Sequence, residues 1–90
     1  MEENEKKNII ESLVLVAKEK YPKIIKGNNL TININKNDGS RVSHSIDCKD
    51  ISSVLYNTLF LQDRKDIMVN DISITDNISG IKIIEISVHE

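Results

Sequence analysis

Between Leu30 and Cys48 the chain reads LTININKNDGSRVSHSIDC, and this stretch constrains the fold more than any other. Leu30, Ile32 and Ile34 alternate with polar residues, and Val42, His44, Ile46 and Cys48 do the same after the turn signal NDG. A two-residue loop, Asp38-Gly39, would set Ile34 opposite Ser43 and Ile32 opposite Ser45, sending the two apolar sets to opposite faces. A three-residue loop, Asn37-Asp38-Gly39, sets Ile34 opposite Val42, Ile32 opposite His44 and Leu30 opposite Ile46. A slip of one residue inverts every side chain, so burial selects the three-residue loop. The local chemistry agrees, because such a loop is a type I turn closed by a left-handed residue, usually glycine. The expectation is a β-hairpin with His44 and Cys48 facing inward and Thr31, Asn33, Asn35, Ser43 and Ser45 facing away.

The residues before the hairpin follow a different period. Ile9, Ile10, Leu13, Val14, Val16, Ala17 and Tyr21 recur at helical spacing and cover nearly half a helix surface, which predicts a wide buried face packed on a sheet. Glu2, Glu3 and Glu5 near the start and Lys18 and Lys20 near the end complement the helix dipole. Pro22 disfavours helical conformation at Tyr21, so the helix stops about there. Ile24 and Ile25 in the connector are expected to cover a core edge. A second helix is expected from about Ile51, with Asp50 capping the amides of Ser52 and Ser53. Ile51, Val54, Leu55, Thr58 and Leu59 form its stripe, and the polar run LQDRKD closes it.

Two strands follow, IMVNDISIT and IKIIEISVHE, joined by DNISG. The apolar phase switches from odd (Ile67, Val69) to even (Ile72, Ile74), and again from odd (Ile81, Ile83) to even (Ile84, Ile86, Val88). Each switch predicts a β-bulge or a strand apolar on both faces. On that ground the last strand is expected at the sheet centre. Together the elements predict a single α+β domain over residues 1–90. It has the order helix-hairpin-helix-hairpin (αββαββ), with a four-stranded antiparallel sheet and both helices packed on one face.

Composition narrows function mainly by exclusion. The net charge of −2 favours neither a nucleic-acid coat nor a membrane-surface binder. The charge is uneven: +1 over residues 1–26, 0 over 27–60 and −3 over 61–90. The polar start MEENEKKN does not read as a signal peptide, and no apolar run approaches the roughly 20 residues of a membrane helix. The lone Cys48 has no internal disulfide partner and no CxxC neighbour, which fits a reducing, cytoplasmic setting. The abundance of Ile, Asn and Lys fits an AT-rich coding sequence, so abundant Asn carries no functional weight.

No catalytic, cofactor or metal set emerges. His44 and Cys48, four residues apart on one strand, would stand about 13 Å apart, too far to share a proton or a metal. Asp63, Asp66, Asp71, Asp76 and Glu85 read as solvated charges of loops and strand edges, and His89 is unmarked. Phosphate-loop, dinucleotide, nucleophile-elbow and HExxH motifs are missing. Lys18, Lys20, Lys23 and Lys26 make a basic cluster, yet no aromatic residue interleaves with a strand to stack bases.

Features suited to protein binding are clearer. Tyr56 and Phe60, four apart, stack on one helix face outside the Val54–Leu55–Leu59 stripe, and Leu15 lies outside the stripe of the first helix. Asn33 and Asn35 belong to a flat polar half of the outward sheet face, and Ile81 and Ile83 are expected to make its other half partly apolar. These seven residues are the expected partner-binding set. The sequence therefore reads as a small non-enzymatic protein-binding module without cofactors. A stoichiometric inhibitor or regulator of the bacterial or phage anti-defence or immunity type fits its size. The alternative is a nucleic-acid-binding regulatory module using the Lys18–Lys26 patch. The expected partner is another protein, with nucleic acid second, no membrane, and homodimerisation as an option.

Overall fold

Alternating and helical periods settle into separate layers in the computed structural model, which describes residues 3–23, 29–60 and 69–88. Helix α1 (Glu3–Lys20) is followed by strands β1 (Leu30–Lys36) and β2 (Arg41–Ile46). A 3-10 turn (Cys48–Asp50) runs directly into helix α2 (Ile51–Phe60), and strands β3 (Val69–Asp76) and β4 (Lys82–Ser87) are the last of the described elements. The protein is α+β, and its four strands form one antiparallel sheet in the order β2-β1-β3-β4. Ile24, Ile25, the LQDRKD run, Ile67 and His89 lie outside the described residues.

The first hairpin has the three-residue loop. Ile34 pairs with Val42, Ile32 with His44 and Leu30 with Ile46. The Lys36 amide donates to the Ser40 carbonyl at 2.9 Å, and Gly39 carries the positive φ of 88° that the loop requires. The Asp38 carboxylate locks the turn by accepting from both the amide and the hydroxyl of Ser40, at 2.8 and 2.6 Å.

Both phase switches are β-bulges. Asn35 pairs with Asp71 and Lys36 with Val69, which leaves Asn70 as the extra residue of β3. Ile74 pairs with Ile84 and Thr75 with Lys82, which leaves Ile83 as the extra residue of β4. The expected place of the last strand is corrected: β4 is an edge, and β1 and β3 hold the centre. Successive apolar residues in β4 mark a bulge that turns Ile83 and Ile84 both to the core, not a strand covered on two faces.

One apolar cluster joins Ile10, Val14 and Ala17 of α1, Ile51 and Leu55 of α2, and the inward residues of the strands. Leu30, Ile32, Ile74, Ile51 and Leu55 are fully buried. Burying side chains of this size contributes about 1.5–3 kcal/mol each. The wide buried face expected for α1 is narrower: only Ile10, Val14 and Ala17 are buried, Leu13 and Tyr21 are half-buried, and Ile9 and Val16 are exposed. Ile10, Val14 and Ala17 fall on one narrow strip of the helix, which joins the core cluster together with Ile51 and Leu55 of α2.

The entry to α2 also differs from expectation. Asp50 closes the 3-10 turn, its amide donating to the Asp47 carbonyl at 2.9 Å. Its backbone carbonyl instead accepts from the Ser53 hydroxyl at 3.1 Å.

Candidate functional site

Alternation along four strands creates the main candidate surface. Opposite the core, Thr31, Asn33 and Asn35 of β1 lie between Arg41, Ser43 and Ser45 of β2 and Asp71, Ser73 and Thr75 of β3. Glu85 and Ser87 of β4 sit beyond, paired with Ser73 and Asp71. Every one of these side chains is polar. Cross-strand bonds hold them in place: the Ser43 hydroxyl donates to Asn33 Oδ1 at 2.8 Å, and Asn35 Nδ2 donates to Asp71 Oδ1 at 2.6 Å. At the bulged edge Lys82 and Glu85 form an exposed ion pair at 3.6 Å.

A shallow polar depression lies at the β3–β4 end of this surface, lined by Asn35, Arg41, Asp71, Ser73, Lys82 and Glu85 among others. Asn33 and Asn35 thus stand where the sequence placed them. Ile83 does not: it is 6% exposed and faces the core, because the bulge at β4 moves it to the helix side. Ile81 is 39% exposed and precedes β4. Arg41, Asp71, Lys82 and Glu85 complete the surface and were missed, although the phase switches, read as bulges, would have assigned Asp71 and Glu85 to it.

The aromatic pair has a different environment from the one expected. Tyr56 and Phe60 are half-buried, with ring centroids 5.7 Å apart and planes tilted by 58°. The first turns of α1 engage both. The Tyr56 hydroxyl donates to a Glu3 carboxylate oxygen, and Lys6 Nζ lies 5.5 Å from the Phe60 ring centroid. The pair fastens α2 to α1 and leaves only part of each ring to solvent. Leu15 is 58% exposed and lies outside the buried face of α1 formed by Ile10, Val14 and Ala17.

His44 occupies an inward register position opposite Ile32, yet it is exposed. β2 is an edge, and only Ile46, next to the turn into α2, is buried there. Cys48 is corrected too: β2 ends at Ile46, and the half-buried Cys48 opens the 3-10 turn. Of the carboxylates read as solvated, Asp76 is buried. It takes the inward position beyond Ile74 on a central strand, opposite Leu30. Its Oδ2 accepts from the amide and hydroxyl of Ser79, at 2.9 and 2.6 Å, and these bonds hold its carboxyl below the usual carboxylate range. Bonds from Ser40 do the same for Asp38. Both carboxylates serve turns.

Among the described residues, no group of three His, Cys, Asp or Glu side chains is arranged to hold a metal ion. Lys18, Lys20 and Lys23 are exposed, and Lys26 lies outside the described residues. No described helix is long and apolar enough to cross a membrane. No protein-family model, no curated protein and no solved structure significantly matches the chain.

Proposed function

We propose that this chain is a non-enzymatic protein-binding module that acts by occupying a partner's surface, as a stoichiometric inhibitor or regulator. The observation that carries the reading is the organised polar face of the sheet, where Ser43–Asn33 and Asn35–Asp71 bonds fix side chains across three strands before any partner arrives. Preorganised groups lose little freedom on binding, so a flat polar partner can be held at a reduced ordering cost. The reading takes the helix-hairpin-helix-hairpin order with both helices on one face, which the shared apolar cluster supports. Among the described residues both outer strands also offer a hydrogen-bonding edge, and β2 is a regular strand with Arg41 as its only charge. The fit to an anti-defence or immunity factor rests on size and composition.

The test is capture from the native host followed by stoichiometry. A one-to-one complex is expected that Asn33→Arg and Ser43→Arg each weaken by roughly tenfold or more, since both place bulk and charge at the centre of a fitted surface. Equal binding by both folded variants would move the interface elsewhere. Binding to mixed duplex and single strands that falls steeply with salt would favour the alternative, a nucleic-acid-binding module using the Lys18–Lys26 patch.

A further inference from the structure

The half of the α1 apolar arc that the fold leaves in solvent is self-complementary. At about 100° per residue, Glu5, Ile9, Ser12, Leu13, Val16 and Lys20 fall within one stripe about 100° wide. Ile9 is 42% exposed and Val16 61% exposed. The stripe lies on the flank of α1 away from α2: Leu13, Val16 and Lys20 line a groove floored by Ile83 and Ile84 of the edge strand β4. Its ends carry opposite charge, and neither Glu5 nor Lys20 has an ion-pair partner among the described residues.

A two-fold axis near Ser12 and Leu13 sets α1 antiparallel to its copy. Glu5 then faces Lys20 of the second copy at both ends, Ile9 faces Val16 on both sides, and the small Ser12 lies against Leu13 at the centre. Every contact in this arrangement occurs twice, as an isologous interface requires. A parallel arrangement would instead set Glu5 against Glu5 and Lys20 against Lys20. We propose that the chain forms a homodimer through this α1 stripe, with the charged ends setting the antiparallel direction. The inference is independent of the reading of the polar sheet face, which this dimer leaves free on both copies.

Sedimentation equilibrium of the full chain over a concentration series tests it. A monomer–dimer equilibrium is expected for the parent. Val16→Asp and Ile9→Asp, at exposed positions, should each weaken it by about a hundredfold, since each buries a charge twice. Glu5→Lys and Lys20→Glu should each self-associate at least about tenfold more weakly than the parent. Mixed together, those two variants should form a heterodimer, because every end then meets its opposite. A parent that stays monomeric to millimolar concentration overturns the proposal. So does a dimer that survives Val16→Asp and Ile9→Asp, or a mixture of the charge variants that fails to associate.

Discussion

Asp76 and Ser79 close the second hairpin through two bonds to one carboxylate oxygen, 2.9 Å from the amide and 2.6 Å from the hydroxyl. The arrangement places a charge in a buried position of a central strand and satisfies it within its own turn. Because these bonds lower the Asp76 carboxyl in the folded chain, the stability they supply is fully present above the unfolded-state value near 3.9. It is lost as pH falls through the lower folded value. Denaturant midpoints measured from neutral pH to below 3 should therefore decline less steeply in Asp76→Asn than in the parent, and the variant should start from a lower midpoint.

Gly39 should resist substitution for reasons of backbone alone. A Cβ there would meet nothing within 4 Å, but φ is 88°. Gly39→Ala is expected to lose about 1–2 kcal/mol in urea unfolding with an unchanged m-value.

Ile32 and His44 are cross-strand partners with opposite prospects. Ile32 is wholly buried, so Ile32→Ala should cost about 2–5 kcal/mol. His44 is exposed on an edge strand, so His44→Ala should stay within about 0.5 kcal/mol of the parent by the same unfolding measurement.

Tyr56 should ionise late. Its hydrogen bond to Glu3, with lesser contributions from desolvation and from the Glu3 charge, raises the phenol above its ordinary value. Ultraviolet titration of a Tyr21→Phe variant should show a tyrosine ionising above pH 10, and adding Glu3→Gln should bring it back toward the ordinary value. A raised value adds stability below the unfolded value that disappears as pH climbs through the folded one, so Tyr56→Phe should flatten the loss of stability in alkali.

Local rules made much of the fold legible. The NDG turn could be counted because only one register puts both alternating sets on one face, and the switches of apolar phase marked where the bulges at Asn70 and Ile83 fall, although a strand apolar on both faces fitted them as well. Asn33 and Asn35 followed from the same alternation. Asp76 was misread because its sequence neighbours look like an exposed turn, while it is buried at an inward position of a central strand, opposite Leu30.

Legible along the chain, therefore, are periodicity and its breaks: helix here, strand there, one register, two switches of apolar phase. Tertiary structure alone decided which strands are central, which half of the α1 arc is covered, and that Tyr56 and Phe60 are held by Glu3 and Lys6. Periodicity is a property of neighbours along the chain, whereas burial depends on which distant elements pack against a face, and α2 and the sheet together cover only part of the apolar surface that α1 presents.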